Sequence, residues 1–433
     1  MLSEAAGPTG SGLSGLYRLA PEERRRLIAE LAGLSSDEVA ALDGGLTLDR
    51  ADRMIENAIG AIAVPLGIAT NFVVDGVDRL VPMAVEEPSV VAAASNAARL
   101  ARPHGGFVTT AHEQLMIGQV QVLDVANTET AAAAVRAAEH DLLAQANACD
   151  PRLVELGGGA RAIETRIVQA GRERMLVCHL LVDCLDAMGA NAVNTMSERI
   201  APAVERLTAG RVLLRIICNL ADRRLVTATA TFDSELMATD TLTAAEVVDG
   251  VLAAYRFALH DPYRAATNNK GVMNGVASVA LATGNDFRAI EAGCHAYASV
   301  ASPTGRYSSL THFDLDSDGS LTGSLTLPLA VGVIGGATAS HPTARACLHI
   351  LGVTRARELA AVMAAVGLAQ QLAAMRALAT TGIQHGHMRL HARQLALAAG
   401  ATLAEVDQIS AALVETGTVR LDAAERLLAE LRN

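Results

Sequence analysis

The sequence predicts an α+β fold in which a small α+β unit is inserted into a larger, mostly helical one. Three observations carry this. Residues 107–231 run strand, helix, strand, helix, strand, the order of a separate α+β unit. On either side the pattern is dominated by helix, above all Thr243 to Leu259 and Arg355 to Ala379. With 51% hydrophobic against 19% charged residues over 433 positions, the chain can bury a large core without disulfide staples.

Residues 1–16 are rich in Gly and Ser and are expected to be mobile. Pro21 to Leu34 predicts an amphipathic helix with an acidic first turn, and Ser35 to Leu42 a shorter one capped by Ser36. Residues 60–82 read as extended, with turns at Pro65-Leu66-Gly67 and Asp75-Gly76. Pro88 to Ala101 is an Ala-rich helix with proline in its first turn, broken by His104-Gly105-Gly106. Phe107 to Val125 is strand-like, 128–149 helical, 161–184 strand-like, 189–208 helical, and 211–231 one or two strands. After the helix from Thr243, residues 267–275 read as a loop rich in Asn and Gly. Asp286 to Ala298 is helical, 307–335 carries a hairpin pattern, and Arg355 to Ala379 is one long Ala-rich helix. Beyond Gly382 lie the helices of a small terminal module.

Composition excludes several functions. The net charge of −11 disfavours nucleic acid and anionic membrane as partners, since both select basic surfaces. Aromatics make up 3% and Trp is absent, which argues against base stacking. No uninterrupted apolar run reaches the ~18 residues of a membrane helix, and the N-terminal stretch lacks the basic start and apolar core of a signal peptide. The six cysteines are scattered with no CxxC pair, as expected for reduced thiols in the cytoplasm. Gly10-x-Gly12-x-x-Gly15 matches a dinucleotide fingerprint in letters but follows no strand. Asp314-x-Asp316-x-Asp318-Gly319 opens like a calcium loop, yet position twelve is Leu325, so an acidic turn is expected. His385, His387 and His391 lack a cysteine or an HExxH context, so no metal is assigned.

Three segments carry chemistry. Lys270 is the single lysine among 35 Lys and Arg residues. Arginine stays protonated and cannot tune a proton near neutral pH, so a lone lysine marks a site. It lies in the densest polar cluster of the chain, Asp261 to Gly275, with Arg264 suited to a carboxylate, and Asp286 follows in Thr283-Gly284-Asn285-Asp286. Glu86 and Glu87 precede a helix. They either complement its N-terminus or provide a carboxyl group able to trade protons. Asp186 to Thr195 leaves a strand and opens a helix through small residues, a setting that favours phosphate, with Gly157-Gly158-Gly159 upstream.

Taken together these segments resemble 3-hydroxy-3-methylglutaryl-coenzyme A (HMG-CoA) reductases of class II, the soluble bacterial form, over about residues 20 to 430. The carriers are Glu56-Asn57-Ala58-Ile59-Gly60, Glu86-Glu87-Pro88-Ser89, DAMGANAVNT at 186–195, NKGVMNG at 269–275, ATGND at 282–286 and Gly386-His387-Met388. The resemblance implies interconversion of (S)-HMG-CoA plus two NADH with mevalonate, coenzyme A and two NAD, in either direction. It implies that Lys270 stabilises the oxyanion, Glu87 delivers protons, Asp286 stands beside Lys270, and His387 protonates the departing thiolate. It places Arg264, Ser89, Asn219, Asn274 and Gln370 around the acyl group, and Glu56 and Asn57 near coenzyme A. Asp186, Met188, Gly189, Ala190 and Asn194 would lie along the dinucleotide. Asp150 would sit at its ribose, where a carboxylate repels a 2′-phosphate and favours NADH over NADPH.

The fold so implied has a large domain around a long central helix (1–108 and 220–380), an inserted four-stranded nucleotide domain (109–219) and a C-terminal helical flap (381–433). Subunits would pair as a homodimer with the active site at the interface, and dimers can assemble further. Two competing readings are a Schiff-base lyase using Lys270 and a non-catalytic coenzyme A or nucleotide sensor. The first leaves the nucleotide-like segment unexplained. The second would not need both Lys270 and His387.

Overall fold

A computed structural model describes residues 10–317, 319–380 and 382–432; for 383–390 it describes the helix but not the side chains. Two sheets organise the chain. The larger has six strands in the order β2-β1-β3-β8-β10-β9: β1 Leu66–Val74, β2 Val77–Ala84, β3 Phe107–Ala111, β8 Leu225–Phe232, β9 Thr311–Leu315 and β10 Leu321–Pro328. The smaller is wholly antiparallel, in the order β5-β6-β4-β7: β4 Leu115–Leu123, β5 Gly159–Ala170, β6 Glu173–Asp183 and β7 Arg211–Ile217. Helices Thr128–Ala137, Glu139–Asn147 and Ala190–Thr208 build a core on one face of the smaller sheet. The α+β class is thus the one predicted, and the inserted unit has four strands.

Residues 211–231 divide between the sheets: β7 closes the smaller one and β8 returns to the larger. β3 pairs with β8 over Phe107–Ala111, so the expected boundary at 109 falls inside a strand of the large sheet. Phe72 stacks on Phe107, and Phe107 meets Phe232 edge to face, where β1, β3 and β8 meet. Across this sheet lies helix Ala356–Ala379, buried along nearly its whole length. By length and composition it could cross a membrane; instead it is the central core helix.

The clearest correction concerns residues 267–275, expected as a loop. They lie inside one continuous helix, Pro262–Ala282, capped by Asp261, which accepts from the Arg264 amide at 2.7 Å. Asn and Gly weaken an isolated helix, but tertiary contacts reverse that here. Asn269 is fully buried and donates to the Ser308 carbonyl at 2.8 Å, while Asn268 donates to Ser309 Oγ at 3.0 Å. Gly275 admits the neighbouring 356–379 helix: a Cβ there would lie 2.9 Å from the Val366 carbonyl oxygen. Asn268, Gly271 and Gly275 thus face the 356–379 helix, while Asn269 ties the helix to the segment at Ser308.

Smaller corrections follow the same pattern. Ser35, not Ser36, caps helix Ser36–Ala41; its amide donates to Glu38 at 2.8 Å. The helix after Glu87 starts at Val90, with Ser89 in the left-handed region at φ 74°. Of the N-terminal stretch expected to be mobile, residues 1–9 lie outside the described residues. Ser11 is buried and bonded to Asp78 Oδ1 at 2.6 Å and to the Phe72 carbonyl at 2.7 Å. The terminal helices Ile383–Ala398, Leu403–Glu415 and Leu421–Arg432 share a core of their own.

Candidate active site

Lys270 emerges from the middle of helix 262–282 and meets Glu87 from the β2 exit, Nζ to Oε2 at 2.5 Å. Asn274, one turn on, donates to the same Glu87 oxygen at 3.4 Å. The lysine side chain remains 59% exposed and the glutamate 34%, so a substrate can approach the pair. Of the two candidate carboxylates the structure selects Glu87; Glu86 is exposed and has no polar partner among the described residues. The strained left-handed Ser89 closes the turn that presents Glu87, a type of strain concentrated at functional sites.

Other expected residues lie around this pair. Arg264, in the first turn of the same helix, is half-buried, its guanidinium has no partner among the described residues, and burial lowers its pKa. An unpaired half-buried guanidinium suits a carboxylate ligand. Gln370 on the central helix packs against Gly275, and its buried Oε1 has no hydrogen bond among the described residues. Asn219 is exposed between β7 and β8, with its carbonyl against Gly293. Glu56 and Asn57 lie on an exposed segment that also carries Ile59 and Ile62, 98% and 96% exposed.

Asp286 is not beside Lys270 within the chain. It caps helix Phe287–Val300, accepting from the Ala289 amide at 3.1 Å, and pairs with Arg288 at 3.3 Å. Twelve helical steps lead from Lys270 to Ala282, about 18 Å of rise, and Asp286 lies beyond that end. His387 belongs to helix 383–398, but its side chain, like that of His385, lies outside the described residues, as does Thr381.

A cleft of about 750 Å³ opens between the two sheets' units. Asp150, Met188, Gly189 and Ala190 line one side, and Asn285, Asp286, Arg288 and the Gly332–Thr338 loop the other. Gly189 has φ 101° and precedes the first turn of helix 190–208, so backbone amides stand at the cleft. Amides at a helix start and small residues fit a dinucleotide's phosphates. Two expected nucleotide residues are also struts of the fold. Asp186 accepts from the Ala356 amide at 2.9 Å, and Asn194 from the Ile217 amide at 2.8 Å. Asp150 caps the short helix Pro151–Glu155 through the Leu153 amide at 2.9 Å.

Sequence reasoning missed three groups. Arg288 and the Gly335-Gly336 turn line the cleft; the paired glycines were a visible turn signal. A second cleft, about 800 Å³, runs along helix Val90–Ala101, with Arg24, Arg25 and Arg99 among its lining. Arg224 is buried behind the Asp186–Gly189 turn, and nothing in the sequence separated it from the other arginines.

The model of the family described as hydroxymethylglutaryl-coenzyme A reductase matches residues 20–392. A 3-hydroxy-3-methylglutaryl-coenzyme A reductase of Archaeoglobus fulgidus is 55% identical over 98% of this chain and 95% of its own length. A solved 3-hydroxy-3-methylglutaryl-coenzyme A reductase from Streptococcus pneumoniae superposes with a TM-score of 0.82 at 39% identity, covering 96% of this chain and 99% of that one. A structure of the class II enzyme from the same organism, bound to NADPH in open conformations, gives 0.81 at 38% identity over 85% of this chain and 99% of that one.

Proposed function

The chain belongs to the hydroxymethylglutaryl-coenzyme A reductase family, and from that premise we propose how its residues divide the oxidoreductase reaction between HMG-CoA and mevalonate. The Lys270–Glu87 contact is the observation that carries the reading. A nicotinamide dinucleotide bound in the 750 Å³ cleft supplies or accepts hydride. Lys270 Nζ polarises the thioester carbonyl and stabilises its developing oxyanion. Glu87, already hydrogen-bonded to that ammonium, gives or takes the proton at the same oxygen. Arg264 holds the free carboxylate of the acyl group, with Ser89, Asn274 and Gln370 around it; Asn219 shares that role by family resemblance alone. His387, carried on the terminal flap, protonates the departing thiolate. Coenzyme A runs along helix 90–101, where Arg24 and Arg99 meet its phosphates, with Glu56 and Asn57 at its edge.

NADH is preferred over NADPH. The support is Asp150 in the cleft wall, whose carboxylate can accept from ribose hydroxyls and repel a 2′-phosphate. The NADPH bound to the Streptococcus pneumoniae neighbour is the contrary precedent. The enzyme works as a homodimer with shared sites. The separation of Asp286 from its own Lys270 supports this, and so does the exposed apolar Ile59 and Ile62. It resides in the cytoplasm, as its free thiols suggest.

The test is direct. Purified protein given mevalonate, coenzyme A and NAD should raise absorbance at the reduced-nicotinamide band, and HMG-CoA with NADH should lower it. One site catalyses both directions. No change in either direction, with NAD(H) or NADP(H), overturns the reading.

A further inference from the structure

We propose that Arg224 is the positioning residue for the dinucleotide's diphosphate: it turns the backbone amides of the Asp186–Gly189 loop toward the cleft. The proposal rests on reading that cleft as the nucleotide site. Arg224 lies in the connection from the small sheet to β8 and is 2% exposed. Among the described residues it forms no ion pair with a carboxylate. Its Nη1 donates to the carbonyls of Ala187 and Met188, each at 3.1 Å. Its Nη2 donates to Leu185 at 3.3 Å and to Val331 at 2.8 Å. A buried cation is costly unless its donors are satisfied, and here neutral carbonyls satisfy all but Nε.

The consequence follows from peptide geometry. A trans peptide holds its N–H opposite its C=O. With the carbonyls of Ala187 and Met188 held on the guanidinium, the amides of Met188 and Gly189 turn away from it. Neither amide has an acceptor among the described residues, and both residues line the cleft. Adjacent contacts lock the arrangement. Val333 donates to the Asp186 carbonyl at 2.9 Å, and Gly332 lies so close that a Cβ there would be 2.6 Å from the Met188 nitrogen. The loop therefore presents unpaired donors with a buried positive charge behind them. The ligand chemistry that fits is a diphosphate diester.

Calorimetric titration with ADP-ribose, adenosine and HMG-CoA tests this in the full chain. Arg224→Lys keeps the charge but cannot span the four carbonyls, and Arg224→Gln removes the charge. Both should weaken ADP-ribose by about tenfold or more, while adenosine and HMG-CoA bind as in the wild type. Gly332→Ala, which displaces the Met188 amide without touching Arg224, should reproduce the selective loss even if the Arg224 variants fold poorly. Unchanged ADP-ribose affinity in Gly332→Ala or in folded Arg224 variants overturns the proposal. So does an equal loss for all three ligands, because that is what a merely structural role gives. A wild type that binds neither ADP-ribose nor NADH refutes the reading of the cleft itself.

Discussion

At Lys270 a charged amine is held at 2.5 Å from Glu87 while more than half of its side chain stays accessible. The residue was legible in the sequence because an arginine-biased chain keeps one lysine there. Its partner was legible only through the family resemblance, since by residue type alone Glu86 and Glu87 are equivalent until the turn after β2 points one of them at the lysine. Arg224 was illegible, because burial against carbonyls leaves no trace in residue type. Lys270→Arg retains charge but replaces a compact donor with a planar fork that cannot tune a proton. Loss of one oxyanion stabiliser costs on the order of 3 kcal/mol, so kcat should fall about a hundredfold at unchanged melting temperature. Near-normal turnover would remove Lys270 from its role. For Asp150→Ala, the NADPH Michaelis constant should fall toward that for NADH. A wild type using both nucleotides equally well would show that this carboxylate does not read the ribose.

The helices explain both the main success and the main error of pattern reading. Helix 356–379 was recognisable because it is rich in alanine and holds no proline, and it became the central core helix. Helix 262–282 was misread at 267–275 because propensity counts Asn and Gly as breakers, whereas here Gly275 lets the two helices touch and Asn268 and Asn269 are buried and hydrogen-bonded. Gly275→Ala must push the Val366 carbonyl away, so we expect a loss of about 1–3 kcal/mol in denaturant unfolding and a lower kcat as Lys270 shifts. A Gly275→Ala protein as stable as the wild type would contradict this account of the packing. The short helix Ser36–Ala41 offers a pH test. The Ser35 amide, the Ser35 hydroxyl and His349 together hold Glu38 down at about 2, from an ordinary 4.5. A carboxylate with a depressed folded-state value contributes fully above its unfolded value and loses that contribution as pH falls. The stability gap between wild type and Glu38→Gln should therefore be widest above pH 4.5 and close toward pH 2. A gap constant across that window would show that the ionised carboxylate is not what stabilises the cap.

For the whole molecule, the inserted small unit was readable from the alternation of strands and helices. The exchange of β3 and β8 into the large sheet was not, because strand pairing depends on distant partners. Assembly lies further still from the sequence, yet the geometry makes a sharp demand on it. About 18 Å of helix separates Lys270 from Ala282, and Asp286 lies beyond that end, so a site using both must draw them from two chains. Lys270→Ala and Asp286→Asn provide the test, the latter keeping an N-cap side chain for helix 287–300. Each variant alone should be nearly inactive. Co-expressed, half of the randomly paired dimers are mixed, and each mixed dimer holds one complete site. Activity should then return to roughly a quarter of wild type. If both residues act within one chain, every site in the mixed dimer lacks one of them and no activity returns. Size-exclusion chromatography must show dimers in all three preparations, so that a null result reports on the shared site and not on lost assembly.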